Sequence, residues 1–291
     1  MAWATWADLE QGICIKLGAK VFVWNRSDGP AIEAEMLGMI RASSPSDLAR
    51  QVGSGIICLN LTTTEVVQQI AFGPNGLIEK LHPDALIIDF GTTDVAATRQ
   101  FAERVHWLDA PVSGGQVGAE AANLTIMAGG SEPDFQRALP VLQTVGKRVS
   151  HMGSSGSGQV TKLANQLIVA QTIDAVAQAL RMSELAGVDP AKVREALLGG
   201  FAESRILNLH GDRMVRRDFV AGGRAVLQLK DVHLICKLAE LVGLRSATLE
   251  NCRQQWERMV YDEGLGDLDH SGLFKLYDAD LSEPNPNPPA H

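Results

Sequence analysis

Aromatic residues are scarce in this chain of 291 residues: they make up 5% of it, and only two are tyrosines. Positive charge is not in excess either. The 26 Lys and Arg against 34 Asp and Glu leave a formal net charge of −8. That balance excludes the basic face of a nucleic-acid binder, while leaving room for a local basic pocket that takes a small anion. The four cysteines, Cys14, Cys58, Cys236 and Cys252, are scattered without metal-ligand spacing. They read as reduced thiols of a cytoplasmic protein, and no metal is expected. No apolar run reaches the roughly 18–20 residues of a membrane span, so no membrane partner is expected. A basic segment followed by an apolar one, the mark of a signal peptide, is missing as well. There is no internal repeat. Glycine, otherwise abundant at 28, is absent from residues 1–11, MAWATWADLEQ.

What is present is a core-forming composition, 45% hydrophobic, on a length that suits two domains at roughly 150 residues each. From Ala19 to about Val149, short apolar runs alternate with polar, helix-like stretches. AKVFVWN, GIICLNL, ALIIDF, VHWLDAPV and LTIMAGG read as strands; SPSDLARQV, TEVVQQIAF and DVAATRQFAE read as helices. Such alternation predicts a parallel, doubly wound sheet of the Rossmann type. Near residue 153 the texture changes. GSSGSGQ is a hinge, and a long apolar helical pattern follows over 159–187, suited to a core or a subunit interface. From there to about Tyr277 everything reads as helix, with breaks at Gly187–Pro190, Gly199–Gly200 and Gly222–Gly223. The expected organisation is a Rossmann-like α/β domain over 1–155 and an all-α domain over 156–280, joined by the long helix. A disordered Pro/Asn tail over 281–291 completes it. Ligands of such sheets bind beyond the carboxyl ends of the strands, so the chemistry is expected in the cleft between the domains.

Four segments offer chemistry. In VFVWNRS a strand ends at Val23 or Trp24, and Asn25-Arg26-Ser27 follow. In a dinucleotide fold an acid at this point binds the ribose 2′-hydroxyl of NAD, and an arginine accommodates the 2′-phosphate of NADP. Arg26 favours NADP; the tripeptide also reads as an ordinary solvated turn. In DAPVSGGQVGA, Ser113-Gly114-Gly115 offer bare backbone N–H groups and a hydroxyl to a carboxylate or phosphate, or serve backbone geometry alone. In GSGQVTKLANQ, Lys162, Asn165 and Gln166 stand at i, i+3 and i+4 on one face of an otherwise apolar helix. Burial lowers a lysine's pKa and suits it to acid/base work near neutral pH. Lys230-Asp231 reads by itself as a solvated pair. Near the C-terminus Asp269 or Ser271 could cap a helix, and His270 reads as structural or solvent-facing.

Taken in this order, the four segments resemble the β-hydroxyacid dehydrogenase family, over about residues 12–277. DAPVSGG with Gly118-Ala119 is similar to its substrate signature, GSGQVTKLANQ to its catalytic signature, and Lys230-Asp231 to its cofactor-side pair. Asn165-Gln166, with LLGGFAESRIL and GLGDLDHSGL, resembles the tartronate semialdehyde (2-hydroxy-3-oxopropionate) reductase branch. The resemblance implies Lys162 as the general acid, with Asn165 and Gln166 holding the substrate. It implies Ser113, Gly114 and Gly115 for the substrate carboxylate. Asn60, Leu61, Thr92 and Lys230 join Asn25, Arg26 and Ser27 on the cofactor side. Gly91 stands in place of the family's serine, and Asn60-Leu61 in place of its Leu-Pro turn.

The family opens with a strand and a Gly-x-Gly-x-x-Gly loop whose backbone approaches the pyrophosphate. Codons for MAWATWA, read two nucleotides later, spell Gly-[Leu/Met/Val]-Gly-[Asn/Asp/His/Tyr]-[Leu/Met/Val]-Gly, the missing loop. Residues 1–11 therefore read as out of frame, with a second shift near Gly12, and weakened cofactor binding is expected.

The sequence thus predicts an NADP-preferring reductase, NAD being possible, of a small hydroxy acid or semialdehyde: tartronate semialdehyde to glycerate. It is expected to be a homodimer or homotetramer. The alternatives are 3-hydroxyisobutyrate, glyoxylic or succinic semialdehyde chemistry, an imine reductase, against which Lys162 argues, and a degenerate binding module.

Overall fold

The computed structural model describes Gly18 and residues 20–278. The stretch 1–11 that the sequence reads as out of frame, Cys14 and the tail expected over 281–291 lie outside those residues. The chain divides between Leu163 and Ala164 into two compact units.

In the first unit, β1 (Phe22–Val23), α1 (Asp28–Met36), β2 (Ile40–Arg41) and α2 (Pro45–Val52) come first. β3 (Ile56–Leu59), α3 (Thr64–Phe72), β4 (Leu86–Asp89), α4 (Val95–Ala102) and β5 (His106–Asp109) follow. Then come β6 (Val112–Ser113), α5 (Gly115–Glu120), β7 (Leu124–Gly129), α6 (Glu132–Val145) and β8 (Gly146–Gly153). Side-chain oxygens of Ser44, Thr63, Asp94 and Ser131 cap the starts of α2, α3, α4 and α6, each satisfying an N–H that the helix leaves unpaired.

β3, β4 and β5 are parallel and in register, Leu59 beside Asp89 and Asp89 beside Asp109. Successive side chains of a strand face opposite ways, and β4 shows the consequence. Leu86 and Ile88 pack with Leu108, Ile126, Phe135 and Leu142 on one face, whereas Ile87 packs with Ile57, Val67, Phe101 and Trp107 on the other. Helices therefore cover both faces, as a sheet of continuous apolar strands requires.

The sheet is mixed rather than wholly parallel. The chain leaves β5 at Asp109, bends through Ala110-Pro111 into β6, and returns antiparallel along β7, which pairs in turn with β8 in parallel. β1 and β2 form a separate parallel pair, Phe22 beside Ile40. Among the described residues no strand joins that pair to β3. A doubly wound order of 3-2-1-4-5-6 sets its first strand at that position.

The 29-residue helix α7 (Ser157–Leu185) starts in the first unit and continues in the second. The second unit otherwise holds α8 (Pro190–Leu197), α9 (Arg205–Arg216), α10 (Ala225–Val242), α11 (Ala247–Glu257) and α12 (Lys275–Asp278), with a 3-10 turn over His270–Phe274. Gly187, at φ +80°, ends the run after α7, and Pro190 opens α8 behind the cap Asp189. Ile173, Ala177 and Leu180 of α7 pack with Leu207, Met214, Leu229, Val232, Trp256 and Phe274. Among the described residues no helix is long and apolar enough to cross a membrane.

Candidate active site

The carboxyl ends of β3, β4 and β5 lie side by side, and three short segments leave them: Asn60-Leu61, Gly91-Thr92 and, through β6, Ala110 to Gly115. The middle loop is tied down by Asp89, fully buried, which accepts from Gly91 N at 2.9 Å and from Thr93 Oγ1 at 2.7 Å. A Cβ at Gly91 would stand 2.6 Å from the Leu61 carbonyl oxygen. Gly91 and Leu61, two of the three residues that depart from the pattern of the resemblance, are therefore close neighbours: the backbone at 61 fills the space that a side chain at 91 would need.

The N-terminus of α7 seats on this edge. Gly156 N and Gln159 N donate to the two carboxylate oxygens of Asp109, at 2.8 and 2.9 Å. An aspartate far away in sequence thus does the work of an N-cap. Burial pushes the Asp109 carboxyl up from an ordinary 3.8 to about 6, against the pull of those N–H donors. Gln159 spans to the middle loop, accepting from Thr93 N at 3.0 Å and donating to Gly91 O at 2.9 Å. The glycines of the hinge follow from the close approach. A Cβ on Gly158 would overlap the Met127 carbonyl and stand 2.8 Å from Asp109 O, and one on Gly129 would stand 2.6 Å from Gly158 N.

This seating carries Lys162 to the loop after β5. Its side chain is 9% exposed, and Nζ donates to Val112 O at 2.8 Å. Ser113, Gly114 and Gly115 follow directly. Gly114 and Gly115 have φ of +143° and +63°, a region that disfavours any side chain. At Gly114 a Cβ would also press on Leu124 at 3.0 Å, while the space beside Gly115 is open. A buried ammonium one residue from a glycine turn can give a proton to an oxygen held at that turn.

Within the second unit, the next turn of α7 bears Asn165 and Gln166. Asn165 Nδ2 donates to Gln166 Oε1 at 2.8 Å; Gln166 Nε2 donates to Asp231 Oδ2 at 2.6 Å and to Gln228 Oε1 at 3.2 Å. Lys230 Nζ lies 2.9 Å from Asp231 Oδ1. Asp231 is 7% exposed and Gln228 1%, so Lys230-Asp231 is no solvated surface pair. Gln228, like Asp109, is a residue whose role sequence reasoning missed. A lone Gln in LQLKD carries no signal; only the packing of α10 against α7 gives it a role.

On the cofactor side, Asn25, Arg26 and Ser27 follow β1, with Asn25 Nδ2 donating to Ser27 O at 2.9 Å. Arg26 is exposed and pairs with no carboxylate among the described residues. A guanidinium exposed at the end of this strand fits the phosphate-bearing adenosine end of a dinucleotide. The stretch expected to face the pyrophosphate lies outside the described residues.

Comparison with known proteins decides the family. Residues 12–153 match the NAD binding domain of 6-phosphogluconate dehydrogenase, and residues 156–277 match the NAD-binding domain of NADP-dependent 3-hydroxyisobutyrate dehydrogenase. The chain is also 39% identical over 236 residues to the 2-hydroxy-3-oxopropionate reductase of Escherichia coli (strain K12), covering 79% of this chain and 80% of the relative. The chain belongs to the β-hydroxyacid dehydrogenase family. A probable mitochondrial 3-hydroxyisobutyrate dehydrogenase-like protein of Arabidopsis thaliana is 32% identical over 269 residues, 90% of this chain and 79% of that one. The fold matches the 3-hydroxyisobutyrate dehydrogenase of Mycobacterium tuberculosis, determined with L-serine, with a TM-score of 0.83 at 24% identity, over 94% and 95% of the two chains. As a β-hydroxyacid dehydrogenase the protein is an NAD(P)-dependent oxidoreductase acting on CH–OH groups.

Proposed function

We propose that this β-hydroxyacid dehydrogenase is an NADP-preferring reductase that converts tartronate semialdehyde to glycerate. The observation that carries the reading is Lys162, buried and held 2.8 Å from Val112 O beside Ser113-Gly114-Gly115. The name of the E. coli relative supports the choice of substrate, and the exposed Arg26 supports NADP.

The bound dinucleotide supplies the hydride. Ser113 and the backbone N–H groups of Gly114 and Gly115 hold the substrate carboxylate. Lys162 gives its proton to the carbonyl oxygen as carbon is reduced, and is reprotonated from solvent. Asn165 and Gln166 orient the substrate beside it. Asn25, Arg26 and Ser27 would hold the adenosine phosphate, Asn60, Leu61 and Thr92 would hold the nicotinamide end, and the family resemblance assigns Lys230 to the cofactor as well. The enzyme works in the cytoplasm as a homo-oligomer.

The test is direct. Purified protein is titrated with NADPH by nucleotide fluorescence, then assayed with a panel of semialdehydes. The expected result is NADPH oxidation fastest with tartronate semialdehyde, and a fall in kcat of about 10²–10⁴-fold in Lys162→Met with NADPH binding retained. Turnover unaffected by Lys162→Met would refute the assignment. Absence of NADPH binding, restored when residues 1–11 are replaced by a Gly-x-Gly-x-x-Gly segment, would mean a sound reductase read through a broken start; absence of binding in a folded oligomer that the replacement does not restore would favour the degenerate alternative.

A further inference from the structure

The amide chain that runs from Asp231 to Asn165 has a direction. A carboxylate only accepts hydrogen bonds, whereas a primary amide presents a donor at one end and an acceptor at the other. Asp231, facing the Lys230 ammonium at 2.9 Å, therefore forces Gln166 to turn its Nε2 toward it, at 2.6 Å. Two consequences follow. Gln228 must offer its oxygen to the same Nε2, at 3.2 Å, because its own Nε2 would meet donor with donor. Gln166 is left with its oxygen toward Asn165, which must answer with Nδ2, at 2.8 Å.

The strength of this constraint is visible at Gln228. Its Nε2 is buried and has no acceptor among the described residues. Turning the Gln228 amide over would free that donor but would set it against Gln166 Nε2. A buried amide left with one unmet donor marks the carboxylate as the group that rules the chain.

We propose that Asp231 is a positioning residue which, through Gln166, fixes the Asn165 amide so that its carbonyl oxygen Oδ1 is turned to the substrate. Asn165 then accepts a hydrogen bond from a hydroxyl of the ligand, which selects hydroxylated semialdehydes over unsubstituted ones. The inference rests on the substrate-facing role of Asn165 proposed above.

The experiment moves the carboxylate. Asp231→Asn permits either direction of the chain, because asparagine can donate to Gln166 Oε1. Adding Gln228→Glu puts an acceptor-only group on the other side of the same Nε2 and restores the original direction. Loss of the Lys230 partner is common to the single and the double variant, so the difference between them reports the direction alone. In ligand-free protein, the side-chain amide resonances of Asn165 and Gln166 are expected to shift in Asp231→Asn and return in the double variant. In kinetics, KM for tartronate semialdehyde is expected to rise about tenfold in the single variant, the loss of one hydrogen bond to a buried partner. It should recover in the double variant, with KM for succinic semialdehyde, which lacks the hydroxyl, unchanged between the two. Identical amide resonances or identical KM values in the single and double variants would overturn the proposal. If Asp231→Asn does not fold, the double variant alone decides: wild-type amide positions support the directed chain and displaced ones refute it. A wild-type enzyme that reduces no semialdehyde would refute the functional reading, while the amide resonances would still settle the direction.

Discussion

Asp109 couples the stability of the α7 seat to pH. Its carboxyl is raised by burial from an ordinary 3.8 to about 6. The folded state therefore holds the proton more tightly than the unfolded one. The stabilisation is full below the unfolded value and is lost as pH rises through the folded one. Between about pH 7.5 and about pH 5, this one group should add on the order of 1 kcal/mol to stability as pH falls. His270 acts in the opposite sense over the same window, because burial lowers it from 6.5 to about 4. That contribution is common to wild type and Asp109→Asn and cancels in their difference. The assay is thermal unfolding of both proteins at the two pH values. Wild type should gain about 2–4 °C relative to the variant on going to pH 5. Parallel profiles would refute the claim that Asp109 is buried against the α7 N-terminus.

Gly158→Ala places a Cβ against the Met127 carbonyl and Asp109, backbone that cannot yield. It should cost about 3 kcal/mol, the upper range for overpacking, visible as a lowered denaturation midpoint, and reduce kcat by displacing Lys162. Asp269 takes hydrogen bonds from His210, Ser271 and Gly222 and an ion pair from Arg213. Although burial pushes it up, His210 and Ser271 hold its carboxyl well below the usual range. Asp269→Ala should destabilise by about 3–5 kcal/mol, as removal of one partner from a buried pair does, measured by urea unfolding at neutral pH. Arg26→Ala should raise KM for NADPH at least about tenfold, the loss of a charge-assisted phosphate contact, with KM for NADH unchanged in initial-rate assays.

The five strands that sequence marked are all present, because each is a short apolar run ended by turn residues. The long helix was legible to within two residues at each end, 159–187 against Ser157–Leu185. β8 was not legible: GKRVSHMG opens with exposed Lys147 and Arg148 and shows no apolar alternation. Its strand character comes from pairing with β7. The bend at Ala110-Pro111, which makes the sheet mixed, was hidden inside a single apolar run. In the candidate site, Lys162 stood out because a charge in an apolar stripe is costly. Asp109 and Gln228 did not, since their roles depend on helix starts and neighbours remote in sequence.

The directed amide chain also bears on how this site can change over time. Asp and Asn, or Gln and Glu, are nearly identical in shape and are commonly treated as safe exchanges. At positions 228 and 231 the currency of similarity is the count of lone pairs and protons, not volume. An exchange of Asp231 for Asn by itself no longer fixes what the site presents to a ligand two residues away along the chain of contacts. The same exchange accompanied by a change at Gln228 leaves it intact. Substitutions at these two positions are therefore linked: the exchange at Asp231 is permissive only in the background of the one at Gln228.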